Sequence, residues 1–306
     1  MSAPVVIRSN FSDFNGSTML PALEDLFKSE LELHPSKRDA LFNMKKAQNG
    51  IYQYSEIHEM PLHSQVGEGT EYSYKSPNQG VDKTMAVVKY GLGASISDEM
   101  IRDNKFDMVA EIVKKMARSA KESQEIQAMS IFNGAFSTVT TADGQALCST
   151  AHTLPSGLTF SNKLATDADL SQSSLGEVLS SFETAFILDN GAISRVVPKA
   201  ILVHPSNKRY AKELTGSDLK PDTNNNNLNA FVEDQLVVLS SPHLTDTDAW
   251  FVLADKSETG LVIVEDYGIQ TKGWEDMDRD SVKYKSRYRE VIGATHAYGI
   301  IGTTGA

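Results

Sequence analysis

Two residues in one loop could act as a nucleophile and its base. Cys148 is the only cysteine of the chain, and His152 follows four residues later in a stretch rich in Ser, Thr and Gly. A thiol becomes a catalytic nucleophile when a neighbouring base removes its proton. Spacing in a loop says little about distance, however, and a lone cysteine usually behaves as a small hydrophobe. We therefore expect Cys148 in the core and keep a Cys148/His152 cysteine hydrolase as an alternative.

The histidines offer few candidates for metal binding. His58 and His63 are five residues apart and flank Pro61 in a presumed loop. A helical zinc site places two histidines four residues apart on one face. This spacing therefore does not predict a metal site.

Three aspartates have the opening spacing of a calcium loop. They are Asp276, Asp278 and Asp280. An EF-hand needs glycine at its sixth position and a bidentate acid at its twelfth, where this chain has Ser281 and Arg287. We expect a turn between two strands, with the acids facing water.

Two glycines could begin a nucleotide-binding loop. Gly91 and Gly93 lack a third glycine at the required position, and Asp98 and Glu99 at the start of the next helix would repel a pyrophosphate. A Gly-Lys-Ser/Thr sequence is also missing. The sequence therefore predicts no catalytic site, no metal and no cofactor.

Composition indicates an ordinary folded protein. The chain has 306 residues, of which 40% are hydrophobic and 23% charged. Its longest apolar runs, such as Leu261 to Val264 and Leu236 to Leu239, are far shorter than the roughly 20 residues that span a bilayer. No charged-then-apolar leader opens the sequence. We expect a soluble, unsecreted protein without a membrane partner.

Net charge and cysteine content argue against nucleic-acid binding and against disulfide stabilisation. The formal net charge of −11 argues against a general affinity for nucleic acid, which depends on clustered Lys and Arg. One cysteine cannot form an intrachain disulfide, so stability must come from packing or from association with other copies. A reducing cytosol suits such a chain.

The first third of the chain reads as an arm, a short helix and a long hairpin. Leu20, Leu23, Leu26 and Phe27 have helical spacing within an otherwise extended arm. The strand-like runs that follow are Ile51 to Ile57, Glu71 to Lys75 and Met85 to Tyr90. The first of these has no clean apolar face. Such a hairpin is marginal alone and needs another surface to lie on.

A long amphipathic helix is the strongest local signal. Ser97 could cap it, with Asp98 and Glu99 complementing the helix dipole. From Phe106 to Asn133 the apolar residues recur every three or four positions, which predicts a rod of roughly 40 Å. The apolar stripe is narrow. We expect this helix to lie across a surface rather than through a core.

The remainder mixes helices and strands. The predicted helices cover Leu175 to Phe186 and Pro205 to Leu214, and Asn224 to Asn227 reads as a solvated loop. The predicted strands are Ala200 to His204, Gln235 to Ser240, Ala249 to Ala254, Gly260 to Glu265 and Ser281 to Ile292. This order predicts an α+β fold with mixed sheets and no internal repeat.

One segment resembles a recurrent stretch of tailed-bacteriophage major capsid proteins, including Mu-like head subunits. It runs from Ala142 to His152 (ADGQALCSTAH), where the family has an aspartate-glycine turn followed by "aLfStaHp". The family often has Phe at the position of Cys148 and Pro at that of Thr153. A hydrophobic counterpart favours a core role for Cys148.

The order of elements is similar to the HK97-like capsid fold along nearly the whole chain. The resemblance implies an N-terminal arm and short helix at 1–49 and an extended loop at 50–92. It further implies a peripheral domain with the spine helix at 93–136 and 255–292, and an axial domain at 137–254 and 293–306.

By the same resemblance, the chain is a structural subunit and not an enzyme. It would form pentamers and hexamers in the icosahedral head of a virion assembled in the host cytoplasm, enclosing double-stranded DNA without binding it specifically. Its partners would be itself, a separate scaffolding protein and a portal protein, and a decoration protein stays open. Lys75 and Lys83 lie where some relatives cross-link, but we predict no cross-link. An encapsulin-like compartment shell is the alternative within the fold.

Overall fold

Two four-stranded sheets organise the chain. The computed structural model describes residues 16–97, 99–100, 103, 106–217, 229–276 and 278–305. The strands of the first sheet are β1 (Asn43–Lys46), β4 (Val88–Ser97), β10 (Leu261–Asp276) and β11 (Ser281–Ala294). Those of the second sheet are β7 (Pro198–Val203), β8 (Val237–Ser240), β9 (Trp250–Ala254) and β12 (Ile300–Thr303). The first sheet has the order β1-β10-β11-β4 and the second the order β12-β9-β7-β8.

Helices cover one face of the first sheet. Helix α1 (Gly16–Leu33) lies against α3 (Phe106–Asn133), and a short helix, α2 (Arg38–Leu41), leads into β1. Leu23 and Phe27 of α1 pack with Val113 of α3 and with Tyr284 of β11, and all four are buried. The narrow stripe of α3 therefore faces α1 and the sheet, while Glu111, Lys115 and Glu122 of α3 are exposed.

The second sheet carries its own core. All five residues of β9 are buried, and Trp250 and Val252 pack with Phe182 of α4 (Gln172–Thr184). Ser171 and Ser174 form a capping box at the start of α4. The remaining helix, α5 (Lys208–Gly216), and the small strands β5 (His152–Thr153) and β6 (Thr159–Phe160) complete this half.

A separate hairpin leaves the first sheet at its edge. Strands β2 (Ile51–Ile57) and β3 (Gln79–Ala86) pair with each other alone, and the connection between them, 58–78, contains no regular structure. At its foot, Met85 packs with Val262 and Val264 of β10. The hairpin is thus anchored where it leaves the first sheet, and its opposite end contacts the loop that contains Asp189.

Most sequence-predicted elements are confirmed. Helix α3 has the predicted bounds, and so does strand β2. Three predictions were wrong. Met85 to Tyr90 is not one strand, because β3 of the hairpin ends at Ala86 and β4 of the first sheet begins at Val88. Glu71 to Lys75 does not form a strand, since no strand among the described residues pairs with it. The predicted short N-terminal helix is 18 residues long because α3 and the sheet bury one side of it.

One expected boundary falls inside a strand, and some expected features lie outside the described residues. The expected boundary between residues 92 and 93 falls inside β4. The extended arm before residue 16, Asp98 and the loop at 224–227 lie outside the described residues. Within the described ranges, no helix is long and apolar enough to cross a membrane.

Candidate functional site

Cys148 lies in the core between the two sheets. Its side chain is 2% exposed and packs in the cluster that contains Phe132 and Phe251. Burial raises the pKa of the Cys148 thiol, so the thiolate needed for nucleophilic attack is disfavoured. The expectation that Cys148 is a core residue is confirmed.

His152 is hydrogen-bonded to partners other than Cys148. Its Nδ1 lies 2.6 Å from Oδ2 of Asp143 and its Nε2 lies 3.1 Å from Oδ1 of Asn162. The Asn162 amide nitrogen donates to the carbonyl oxygens of Leu147 and Ala297, which fixes the orientation of its oxygen toward His152. Because other groups occupy both ring nitrogens, the geometry does not pair His152 with Cys148 as a base.

The aspartate-glycine turn of the motif orients this network. Burial alone would raise the pKa of Asp143, but hydrogen bonds from His152 and Thr141 outweigh it and hold that pKa below its usual value. Gly144 follows with a φ of 80°, a conformation that favours glycine. The motif residues therefore brace a loop against the carboxyl-terminal strands instead of forming a reactive centre.

A small cavity lies where the hairpin meets this network. It has a volume of about 40 Å³ and is lined by His58, His152, His296, Glu56 and Asp143 among others. Sequence reasoning paired His58 with His63 and missed His296, because residues from three distant segments meet here only in the tertiary structure. Within the described ranges, no group of three or more His, Cys, Asp or Glu side chains is arranged so that it could hold a metal ion.

The remaining sequence candidates lie on or beside strands. Asp276 ends β10 and pairs with Lys283, while Asp278 and Asp280 are exposed in the turn that leads to β11, as expected. Gly91 lies inside β4, where an added Cβ would come within 3.1 Å of a backbone oxygen of the neighbouring strand.

The hairpin contacts the rest of the subunit along its strands and at the end that leads into the connection. Lys83 donates through Nζ to the backbone oxygens of Thr140 and Ala294, and Asn78 donates to Asp189 over 2.7 Å. Beyond these anchors the connection is exposed. Its large exposed side chains are Met60, Leu62, Val66, Tyr72 and Tyr74, and Ile57 at the end of β2 is exposed as well. Tyr74 is 95% exposed, which is unusual for an aromatic side chain in a folded monomer and typical of a contact surface.

A family comparison agrees with this arrangement. The family described as "Phage capsid protein" matches residues 80–302, which is more than half of the chain. The chain belongs to the phage capsid protein family. A comparison with curated proteins gave no match.

Solved structures show the same fold at low identity. A Microbacterium phage Oxtober96 chain is 14% identical with a TM-score of 0.58, over 89% of this chain and 92% of that chain. A chain of the cyanophage P-SCSP1u capsid is 10% identical with a TM-score of 0.62, over 89% and 88%. A virus-like particle from Pyrococcus furiosus is 11% identical with a TM-score of 0.56, over 92% and 97%.

The HK97-like fold is therefore confirmed, and the capsid protein is the major structural subunit of a tailed-phage head. It is a component of the virion capsid. The family match favours neither a cellular compartment shell nor a cysteine hydrolase.

Proposed function

We propose that this capsid protein assembles through heterologous contacts into pentamers and hexamers, which build an icosahedral shell around double-stranded phage DNA. The observation that carries the proposal is the connection between β2 and β3, where Met60, Leu62, Val66, Tyr72 and Tyr74 are all exposed. A hairpin without its own core gains stability when it lies on a neighbour. Heterologous contacts that close into rings then build a lattice.

Each of the two sheets would belong to a different domain of the subunit. The first sheet with α1 and α3 would form the peripheral domain, and the second sheet with α4 and α5 the axial domain near the capsomer centre. The projecting connection would be the extended loop that reaches the next subunit. The shell would act without catalysis. The burial of Cys148 and the hydrogen bond between His152 and Asp143 support this.

Other components complete the assembly. A separate scaffolding protein would direct curvature, a portal protein would occupy one vertex, and assembly would take place in the host cytoplasm. The net charge of −11 suits a shell that encloses DNA without gripping it.

Expression with and without the scaffolding protein tests the proposal. Size exclusion and negative-stain microscopy should show capsomers or closed shells in at least one condition. A persistent monomer in both would overturn it. Particles that lack nucleic acid and hold one host protein would instead support a cargo compartment.

A further inference from the structure

The β2–β3 hairpin lies on its own subunit without joining either large sheet. Among the described residues, no backbone hydrogen bond links its strands to a strand of the two four-stranded sheets. Apolar packing is concentrated where the hairpin leaves the first sheet, at Met85 with Val262 and Val264. A unit with few buried apolar contacts detaches at low cost, because little apolar surface is then exposed to water. The hairpin therefore depends on polar side chains to stay in place.

A buried carboxylate holds the opposite end of the hairpin. Oδ2 of Asp189 accepts a hydrogen bond from the Asn78 amide over 2.7 Å, and Oδ1 accepts one from the backbone N–H of Ser156 over 2.8 Å. Burial alone would raise the pKa of Asp189, but these hydrogen bonds outweigh it and hold that pKa below its usual value. The next residue, Asn190, donates to the backbone oxygen of Met60 over 3.0 Å. We call these contacts of Asp189 and Asn190 with the connection the latch.

The contact at the latch is loosely packed. A pocket of about 360 Å³ lies between the connection and the two loops that contain Ser156 and Asp189. Leu62 on one side of it is 66% exposed, and Leu158 on the other side is 39% exposed. Permanent contacts inside a subunit are close-packed and leave few such voids. The connection therefore rests on these loops without packing into them.

Acidic side chains oppose the docked position. Burial raises the pKa of Glu56 on β2, and the nearby acids Glu59, Asp143 and Asp189 raise it further, while His58 opposes the shift. Glu56 and Glu59 belong to the hairpin side of the contact, and the two aspartates belong to the body of the subunit. Like charges brought together in a partly buried site repel each other. The hydrogen bonds of the latch thus hold the hairpin against an electrostatic repulsion.

We propose that the latch keeps the hairpin on its own subunit before assembly, and that its release lets β2, β3 and their connection swing as one unit about the Met85 end. Release would precede contact of the connection with a second copy. The inference rests on the proposed function and makes Asp189 a positioning residue. Because β2 pairs only with β3, release breaks side-chain contacts and leaves the pairing inside the hairpin intact.

Substitutions of Asn78 test the latch, because its side chain is exposed and lies outside the core. Asn78→Asp places a second carboxylate against Asp189 and should release the hairpin. Asn78→Asp with Asp189→Asn should latch it again, because an amide at position 189 donates to the new carboxylate while its oxygen still accepts from Ser156. Gln65→Glu adds the same charge within the exposed connection and is the matched control. Asn78→Ala removes the donor without adding a charge.

Distances between two spin labels report the position of the hairpin in the unassembled subunit. Ser64→Cys in the connection and Glu258→Cys before β10 provide exposed labelling positions, and the native Cys148 is buried. The chain with an intact latch and the Gln65→Glu control should each give one narrow distribution of distances. Asn78→Asp should broaden it, Asn78→Ala should do so to a smaller extent, and the exchanged pair should restore it. An unchanged distribution in Asn78→Asp, or a broad one with the latch intact, would overturn the inference.

Light scattering relates release to assembly. Asn78→Asp should raise the initial rate of shell formation by up to about tenfold, since a hydrogen bond to a charged group no longer has to break first. A released hairpin with an unchanged or lower rate would overturn the regulatory role. Absence of shells from every variant would instead contradict the proposed function, and the spin-label distances would still decide whether the latch exists.

Discussion

Arg38 and Glu290 form a buried ion pair that joins the start of the chain to its last long strand. Nη1 of Arg38 lies 2.8 Å and 2.9 Å from the two carboxylate oxygens of Glu290, and Gln124 of α3 donates to the same carboxylate over 3.3 Å. Burial raises the pKa of Glu290, although Arg38 opposes that shift. Three elements, α2, α3 and β11, therefore meet at one carboxylate.

Removing one partner of this pair should cost more than removing both. Arg38→Met leaves Glu290 buried and unpaired, so we expect a loss of about 3–5 kcal/mol in the free energy of unfolding. Arg38→Met with Glu290→Met should recover much of that loss, because no uncompensated charge remains. Urea unfolding of the unassembled subunit measures both. An equal loss in the single and double variants would contradict this account.

Gly260 should tolerate no larger residue. An added Cβ would lie 2.1 Å from the backbone oxygen of His296, where two segments approach closely. We expect Gly260→Ala to destabilise the subunit by about 3 kcal/mol, as overpacking does. Gly216→Ala is the matched control, since an added Cβ there meets nothing within 4 Å and the change should stay within about 1 kcal/mol. Thermal unfolding that ranks the two variants alike would refute the prediction.

Cys148 should be unreactive while the chain is folded. Its burial and raised pKa predict no modification by a thiol reagent at neutral pH, and full modification in urea. Cys148→Ser should still assemble, and neither protein should show thiol-dependent hydrolysis. Rapid labelling of the native subunit, together with turnover lost in Cys148→Ser, would revive the hydrolase alternative.

The hairpin connection should matter for assembly and not for folding. Deleting 64–76 and closing the gap with a short Gly-Ser turn removes exposed residues and retains the hydrogen bond between Asn78 and Asp189. We expect an unfolding midpoint close to that of the intact chain and a loss of shells in negative-stain images. A variant that fails to fold would show that the connection contributes to the core.

The cavity between the hairpin and His152 should make stability depend on pH. Burial lowers the pKa of His296 from 6.5 to about 4, so between these values the unfolded chain binds a proton that the folded chain does not. Stability contributed by neutral His296 is present above pH 6.5 and is lost as pH falls toward 4, by up to about 1.4 kcal/mol per pH unit. Burial raises the pKa of Glu56 in the same cavity, which has the opposite effect.

Comparison with His296→Phe isolates this contribution. The variant retains Glu56, His58 and His152. The unfolding free energy of the chain with His296 should therefore fall relative to that of the variant as pH drops from 6.5 to 4. Parallel pH profiles would rule out His296 as the source.

Local patterns were enough to predict much of the fold. The spacing of apolar residues predicted α3, because a helix repeats every 3.6 residues whatever its neighbours do. The run from Ala142 to His152 pointed to the capsid family before any contact was known. Cys148 was expected in the core because the family often has Phe at its position, and the side chain is buried there.

Long-range pairing accounts for what those patterns missed. Glu71 to Lys75 has strand-forming residues but no partner strand within its own subunit, so propensity alone predicted the wrong state. The Arg38–Glu290 pair joins residues 252 positions apart, and no local period indicates it. The cations of the first sheet likewise depend on register: alternating cations in β11 are unremarkable in sequence, and only pairing with β10 and β4 places Lys272 and Lys89 beside them.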